Sequence, residues 1–166
     1  MIKKSIILIG MAGVGKSTTG RLLAQHLAWR FVELDQCIKD WAGKSKTQEI
    51  IDNIGEQAFM QIEKNIMYQV DLRNVVVATG GSVIYHSDLM DYLKESCVLL
   101  YLRDSFENIF ERWKLRGTGG VIGLRDKSFR EVFEERQPLY AHHADVVVDV
   151  NGKSTGEIVA DIISIV

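Results

Sequence analysis

The fold is decided by an eight-residue stretch near the start of the chain, Gly10-Met11-Ala12-Gly13-Val14-Gly15-Lys16-Ser17. It fits the pattern G-x-x-x-x-G-K-[S/T] in full and follows a short apolar run, residues 5–9, that is typical of a buried strand. Apolar residues at helical spacing begin at Lys16. A glycine-rich turn between strand and helix can wrap a polyphosphate with its backbone N–H groups and the positive helix end. The stretch therefore predicts a phosphate-binding loop, or P-loop.

Beyond this loop, apolar runs and helical patterns alternate along the chain. Strands are predicted at residues 5–9, 31–34, 74–78, 97–102 and 144–150. Helices are predicted at residues 16–29, 48–70 with a break at 53–55, 87–94, 106–115 after an N-cap at Ser105, and from the last strand to the C-terminus. Apolar strands that alternate with helices indicate a parallel sheet covered on both faces. We therefore expect one domain, residues 1–166, of the α/β class: three layers, α/β/α, around a five-stranded parallel sheet.

One glycine-rich passage, residues 116–126, interrupts this alternation. Its glycines argue against a regular element, and they are Gly117, Gly119, Gly120 and Gly123. We expect a mobile lid over about residues 113–126, with a plain surface loop as the alternative.

The composition excludes several functional classes. The 166 residues are 46% hydrophobic and 25% charged, with a formal net charge of −2 and scattered basic residues. This balance gives no reason to expect binding to nucleic acid or to a membrane. The apolar run after Lys3-Lys4 is too short for an export signal, and Cys37 and Cys97 lack metal-binding spacing. We expect a cytoplasmic monomer with both thiols reduced and buried.

The P-loop pattern assigns roles to its own residues. Lys16 is expected to neutralise the β- and γ-phosphates of ATP during transfer, and Ser17 to bind Mg²⁺ through its hydroxyl. The expected nucleotide contacts are Gly13, Val14, Gly15, Lys16, Ser17 and Thr18. The guanine motif N-K-x-D does not occur, and no run of four apolar residues precedes Asp-Glu. These absences favour a kinase of a small hydroxyl compound over a GTPase or a motor ATPase.

Four further residues are candidates for the site of a phosphate acceptor. Asp35 follows a predicted strand, at the edge where parallel sheets place their sites, and can accept the acceptor's hydroxyl proton. Its alternative is a solvated helix N-cap. Gly80-Gly81 can let backbone N–H groups approach the acceptor, or they form only a bare turn. Arg136 can bind an anionic acceptor, or it forms an exposed ion pair with a nearby Glu.

Five segments together resemble the shikimate kinase family, in the family's order and over almost the whole chain. They are GKSTTGRLLA (15–24), FVELD (31–35), IGEQAF (54–59) with Glu63, ATGGS (78–82), and ERQPLY (135–140) with Ala144-Asp145. The resemblance implies the nucleoside monophosphate kinase fold, ATP and Mg²⁺, and phosphorylation of shikimate or a related hydroxyl acceptor. It also implies that Glu33 helps to hold Mg²⁺ through water. Arg112 is expected to pack on adenine, with a surface ion pair to Glu107 or Glu111 as its alternative.

Two positive charges that the family would supply are missing. Met60 occupies the position at which the family has an arginine that binds the shikimate carboxylate. Gly119 occupies the position of the family's lid arginine when residues are counted without gaps from Arg112. Each lost charge-assisted bond costs about 1.5–3 kcal/mol. Arg116 and Arg125 are both candidates to replace the lid arginine, and their spacing in the sequence does not distinguish between them. The alternative function is therefore a nucleotide-binding protein without shikimate kinase activity, acting on another metabolite or as a regulatory module.

Other residues carry weaker signals. Glu63 is retained without its arginine partner, and we expect it either to bind the acceptor or to face water. His142-His143 have no further ligands at metal-binding spacing, so no metal site is expected there. Packing, rather than stacking on bases, is expected for the tryptophans, which are Trp29, Trp41 and Trp113.

Overall fold

The computed structural model describes residues 5–166 and contains one five-stranded sheet. The strands are β1 Ser5–Ile9, β2 Arg30–Glu33, β3 Val75–Ala78, β4 Val98–Arg103 and β5 Val146–Asp149. Every neighbouring pair is parallel, in the order β2-β3-β1-β4-β5. Lys3-Lys4, and with them the start of the expected domain, lie outside the described residues.

Eight α-helices within residues 5–166 connect and cover these strands. They are α1 Lys16–Leu27, α2 Leu34–Ala42, α3 Thr47–Ile54, α4 Glu56–Tyr68, α5 Ser87–Ser96, α6 Phe106–Leu115, α7 Phe129–His143 and α8 Thr155–Ile165. Helix α1 packs on β2, β3 and α8, α5 and α7 contact β4, and α2, α3 and α4 pack on one another. The expected class, a parallel five-stranded sheet in a three-layer α/β/α arrangement, is confirmed.

Strand β1 lies at the centre of the sheet, and its four residues after Ser5 are all apolar. The side chains from Ile6 to Ile9 are at most 2% exposed, and full burial of such a side chain contributes about 1.5–3 kcal/mol. The edge strands β2 and β5 are only partly covered. In a parallel sheet the carboxyl ends of all strands share one edge, so the segments after β1, β2 and β3 meet there.

Two helices, α2 and α7, occupy segments for which no helix was predicted. Helix α2 begins at Leu34, directly after β2, so no loop residue marks the change. Helix α7 carries Pro138 in its interior, where proline removes a backbone donor. Its start does have a sequence signal, because Ser128 and Glu131 form a capping box. The break predicted at 53–55 is confirmed at Gly55, which has φ 83° and separates α3 from α4.

The lid loop, as we call residues 116–128 between α6 and α7, has no helix or strand along its fully described length. It begins later than the expected residue 113 because α6 continues to Leu115. The loop packs onto the rest of the protein, since Val121 and Ile122 are only 6% and 7% exposed. Whether it moves as a lid remains a prediction.

Two helices hold the lid loop through side-chain oxygens. Gln48 Oε1 of α3 accepts a hydrogen bond from the Gly120 N–H at 2.8 Å. Glu56 Oε1 of α4 accepts one from the Gly123 N–H, also at 2.8 Å. The middle of the lid loop is therefore anchored to α3 and α4, and its first residues are not.

Three smaller expectations concern burial. Cys97 is buried but Cys37 is only half-buried, so the expectation of two buried thiols is wrong for Cys37. Trp41 is 63% exposed and does not pack, whereas Trp113 stacks on Phe129 with ring centroids 4.4 Å apart.

In the part of the chain described, no helix has the length and apolar character needed to cross a bilayer.

Candidate active site

A cavity of about 510 Å³ lies beside the P-loop, where the segments after β1, β2 and β3 meet. It is lined by most of the residues that the sequence singled out, namely Gly13, Gly15, Lys16, Ser17, Thr18, Glu33, Asp35, Gly80, Gly81, Arg112 and Arg136. Val14 is not part of the lining, because its side chain is buried against Gly10. Residues from five helices (α1, α2, α4, α6 and α7), from the end of β2, from the segment after β3 and from the lid loop thus share one cavity.

Close backbone contacts give the P-loop its shape. Gly10 has φ +143°, and a Cβ there would lie 2.7 Å from the carbonyl oxygen of Leu102 in β4. Gly15, with φ +104°, directly precedes α1. Lys16 Nζ donates hydrogen bonds to the carbonyl oxygens of Gly10 and Met11 at 2.7 and 2.9 Å. The ammonium group is therefore held over the loop that would wrap the phosphates.

The ammonium group of Lys16 is destabilised by its surroundings. Burial lowers the pKa of Lys16 to about 8; the carboxylate of Asp35 opposes this shift, and the charges of Arg116 and Arg136 add to it. Ligand phosphates would supply the missing negative charge and raise the pKa again. The site is thus electrostatically prepared for a polyanion.

Ser17 and Glu33 place two side-chain oxygens next to each other in the cavity. Ser17 Oγ donates a hydrogen bond to Glu33 Oε1 at 2.6 Å, and Glu33 lines the cavity. Arg21 lies 3.5 Å from the other carboxylate oxygen. A hydroxyl and a carboxylate are hard oxygen donors of the kind that Mg²⁺ prefers, so these residues fit the expected metal.

Asp35 lies in the first turn of α2 and faces the cavity. The cap position of α2 is Glu33, so the alternative of Asp35 as a helix N-cap is wrong. Burial is the main reason that the pKa of Asp35 is raised, and the neighbouring Glu63 carboxylate adds to it, while Lys16 acts in the opposite direction. A carboxylate with a raised pKa is a stronger base than an ordinary aspartate.

Neighbouring side chains leave no room for a Cβ atom at Gly80 or Gly81. A Cβ at Gly80 would collide with Glu63 Oε1 and lie 3.0 Å from Asp35 Oδ1. A Cβ at Gly81 would lie 2.8 Å from Arg136 Nη1. A bare turn, the alternative reading, does not account for these contacts. The approach of their N–H groups to an acceptor stays a prediction.

Glu63 is a buried part of the cavity wall, so the second of its two alternatives, a side chain that faces water, is wrong. Its side chain is fully buried, and Ser82 Oγ donates to both carboxylate oxygens, at 2.9 and 3.1 Å. His86 Nε2 lies 3.5 Å from Glu63 Oε2. Burying a carboxylate is costly unless partners of this kind satisfy it. The sequence signal is its place four residues after Phe59, on the buried face of α4.

Arg136 is buried, with 1% of its surface exposed. Its Nη2 donates to the carbonyl oxygen of Ile122 at 2.7 Å, and its Nε to Tyr85 Oη at 3.3 Å. The adjacent Glu135 instead binds Tyr85 and Lys127. The alternative of an exposed ion pair is therefore wrong. Arg136 links α7 to the lid loop, a role that the sequence did not reveal.

Arg112 lines the cavity but pairs differently from the expected surface contact. Its Nη1 lies 2.8 Å from Asp104 Oδ2, a buried carboxylate at the end of β4. The alternative prediction, a surface ion pair of Arg112 with Glu107 or Glu111, is therefore wrong. Packing of Arg112 on adenine remains a prediction.

The two positions without the expected arginines lie away from the cavity wall. Met60 is half-buried and packs against the core, and it is absent from the cavity lining. Gly119 lies against Gln48 and lines two neighbouring cavities, but not the main one. Of the two possible substitutes, Arg116 lines the cavity beside the P-loop and Arg125 lines only a separate one.

The fold and the cavity together define a class of protein. A P-loop after the central strand faces a carboxylate, two glycines and a buried arginine across one cavity. Such an arrangement has the chemical groups to bind a polyphosphate on one side and a hydroxyl compound on the other. The chain is a P-loop kinase with the fold of the nucleoside monophosphate kinases.

The family model for shikimate kinase matches residues 12–166, and the chain therefore belongs to the shikimate kinase family. Shikimate kinase from Persephonella marina is 37% identical over 161 residues, which cover 96% of this chain and 97% of that relative. The enzyme of the same name from Thermodesulfovibrio yellowstonii is 33% identical over 163 residues, covering 96% and 93%. The resemblance seen in the five sequence segments is confirmed.

Solved structures agree with this family. Shikimate kinase from Acinetobacter baumannii, solved in complex with shikimate, matches with a TM-score of 0.87 at 27% identity, over 99% of this chain and 93% of that one. A gluconokinase from Sinorhizobium meliloti, at 18% identity and a TM-score of 0.56, shares the fold alone. Members of the shikimate kinase family phosphorylate a hydroxyl group of shikimate.

Proposed function

We propose that this protein transfers the γ-phosphate of ATP to a hydroxyl group of shikimate, with Mg²⁺ bound beside the phosphates. The observation that carries the proposal is that Lys16 and Asp35 face one cavity and shift each other's pKa. A cation for the phosphates and a base for the hydroxyl are therefore neighbours. The names of the curated relatives, and the shikimate bound in the Acinetobacter baumannii enzyme, support shikimate as the acceptor.

The nucleotide would bind along the P-loop. The backbone N–H groups around Gly13, Val14 and Gly15 would surround the phosphates, with Ser17 and Thr18 at the positive end of α1. Lys16 would exchange the two P-loop carbonyls for the β- and γ-phosphate oxygens. Arg112, already fixed by a buried aspartate, would lie along the adenine ring.

Ser17 and Glu33 would hold Mg²⁺, Ser17 through its hydroxyl and Glu33 through water, as their paired oxygens suggest. When bound, the metal neutralises charge on the phosphates. The remaining steps belong to side chains of the protein.

The acceptor would be held by Arg136 and activated by Asp35. Arg136 would bind the carboxylate of shikimate, with the N–H groups of Gly80 and Gly81 against the rest of the ring. The hydroxyl oxygen attacks the γ-phosphorus, and Asp35 accepts the hydroxyl proton. The bond from that phosphorus to the bridging oxygen breaks, and its electron pair stays on ADP.

A coupled assay of ADP release tests the proposal. Purified protein with ATP and Mg²⁺ should release ADP faster when shikimate is added, and mass spectrometry should detect the phosphate ester. Lys16→Ala is the control and should abolish turnover without unfolding the protein. ATP binding without any stimulation by shikimate would contradict the acceptor assignment.

A second candidate function is a nucleotide-binding protein that acts on another metabolite or has lost phosphate transfer. Met60 and Gly119 favour it, because neither supplies the positive charge that family members have there. A thermal-shift screen of hydroxyl metabolites with Mg²⁺ and a non-hydrolysable ATP analogue separates the cases. Stabilisation by another metabolite would favour a different acceptor. Stabilisation by the nucleotide alone would favour a nucleotide-binding protein that has lost phosphate transfer.

The proposal includes action by a cytoplasmic monomer on a small molecule. The residues assigned above line one cavity within a single chain, which supports a monomer that needs no second copy for catalysis. Light scattering during gel filtration tests this, and a site that works only in a dimer would contradict it.

A further inference from the structure

Four cationic side chains line the active cavity, and only one of them is without a partner. Lys16 is bonded to P-loop carbonyls, Arg112 to a buried aspartate and Arg136 to a lid-loop carbonyl. Arg116 is exposed and makes no side-chain hydrogen bond or ion pair with any residue from 5 to 166. An unpaired guanidinium at the rim of an anion site is free to bind the anion.

Arg116 has a fixed base and a flexible continuation. It follows α6 directly, and its N–H donates to the carbonyl oxygen of Arg112 at 3.1 Å. The next residue, Gly117, has φ +85° and no atom within 4 Å of where its Cβ would lie. The side chain is therefore carried by a helix end, while the chain beyond it can turn.

Arg116 lies in the cavity between the P-loop and Asp35. It lines the main cavity and an adjoining one of about 360 Å³, and the two cavities share Ala12 of the P-loop and Asp35. Burial is the main cause of the lowered pKa of Lys16, and the charge of Arg116 adds to it. Arg116 is thus electrostatically coupled to the lysine that would hold the γ-phosphate.

Other positions in the lid loop do not offer this geometry. Gly119 has φ +138°, and a Cβ there would lie 3.2 Å from Gln48 Oε1, so a longer side chain would be strained. Arg125 lines a different cavity, beside Glu56 and Trp113. Arg116 is the lid-loop arginine that reaches the active cavity.

We propose that Arg116 is a catalytic residue that binds the γ-phosphoryl group while it is transferred. The proposal rests on the proposed kinase activity and assigns the charge that Gly119 does not supply. As the phosphoryl group passes from ADP to the acceptor oxygen, negative charge lies on its oxygens, and a guanidinium stabilises that charge. Arg116 exchanges no proton, so the balance of bonds given above is unchanged.

Steady-state kinetics of three variants test this role. Arg116→Ala should lower kcat by about 10²–10³-fold, and Arg116→Lys should retain part of the rate because it keeps the charge without the planar fork. Arg125→Ala is the matched control, and we expect its kcat to stay within about twofold, as for surface substitutions in general. ATP affinity, measured by calorimetry, should change little in all three. A wild-type kcat in Arg116→Ala would overturn the proposal.

A second measurement needs no acceptor and keeps the two proposals separate. ADP with Mg²⁺ and aluminium fluoride mimics the transferring phosphoryl group. Arg116→Ala should bind this mixture at least about tenfold more weakly than wild type, a loss of one charge-assisted contact, yet bind ADP alone equally well. Equal binding of the mixture would overturn the role of Arg116, even if shikimate proved not to be the acceptor. Absence of shikimate-stimulated turnover in the wild type would instead contradict only the acceptor.

Discussion

The charged forms of Lys16 and Asp35 are both less stable in the protein than they are in water. Burial disfavours the charged form of each, which lowers the pKa of the lysine and raises that of the aspartate. Each also partly stabilises the other's charge. The pair therefore responds to pH in ways that ligand binding can reveal.

We predict that ATP binding weakens as pH rises above about 8, the pKa of Lys16 in the ligand-free protein. Below this pH Lys16 is already protonated, so binding takes up no proton. Above it, binding must restore the proton, and affinity should fall by up to about tenfold per pH unit. Calorimetry in buffers of different ionisation enthalpy measures the proton uptake directly. Uptake that stays at zero up to pH 9.5 would contradict the prediction.

Asp35→Asn should leave ATP binding intact and lower kcat at least about a hundredfold, the low end for loss of a general base. Because the pKa of Asp35 is raised above 3.8, wild-type kcat should decline when pH falls through that raised value. The variant should lack this acidic limb. Asp40→Asn, on the exposed side of α2, is the control. A variant with near-normal turnover would show that Asp35 is not the base.

Gly80→Ala should damage the acceptor side selectively. The new methyl group collides with Glu63 and crowds Asp35, and such misplacement of reacting groups costs about a hundredfold in kcat/KM. Gly156→Ala in α8 is the matched control, since no atom lies within 4 Å of its Cβ position. That control should be stabilised by about 0.5–1 kcal/mol, the usual gain of alanine over glycine in a helix. Urea denaturation and acceptor kinetics distinguish the two, and unchanged kcat/KM in Gly80→Ala would count against this packing.

Helices and strands differed in how far the sequence could predict them. Apolar runs identified all five strands, because a strand buried on both faces leaves a continuous signal. Helix α2 gave no such signal, since it starts without a loop at Leu34, and Pro138 obscured α7. The P-loop part of the site lies in one motif, so the sequence could predict its position between β1 and α1. The partners of Glu63 and Arg136 were not, because they come from segments distant in sequence.

The anchors of the lid loop permit a test of that element. Glu56→Ala removes the acceptor for the Gly123 N–H, a charge-assisted bond of about 1.5–3 kcal/mol. Amide exchange of Gly123 should accelerate by about 10–100-fold, while exchange in β1 stays unchanged. Glu49→Ala, an exposed residue of α3, is the control. Equal protection of Gly123 in both variants would mean that packing of Val121 and Ile122 alone holds the loop.

The whole domain should be stabilised when the cavity is filled. A ligand at a hundred times its Kd adds about 2.7 kcal/mol to the free energy of unfolding. For a domain of this size that raises Tm by about 5–10 °C. Differential scanning fluorimetry with a non-hydrolysable ATP analogue and Mg²⁺ measures the shift, and Lys16→Ala should show a much smaller one. An unshifted wild-type Tm at saturating nucleotide would exclude binding at the P-loop.

The residues that line the two sides of the cavity are distributed differently along the chain, and this has an evolutionary consequence. The P-loop residues assigned to the phosphates of ATP form one unbroken run from Gly10 to Thr18, whereas Asp35, Glu63 and Arg136 belong to three separate helices. A change in the run alters the backbone that carries the neighbouring P-loop contacts, so we expect selection to act on the run as a unit. A change in one helix leaves the other two in place. Acceptor preference can therefore drift by single substitutions while the phosphate donor stays the same.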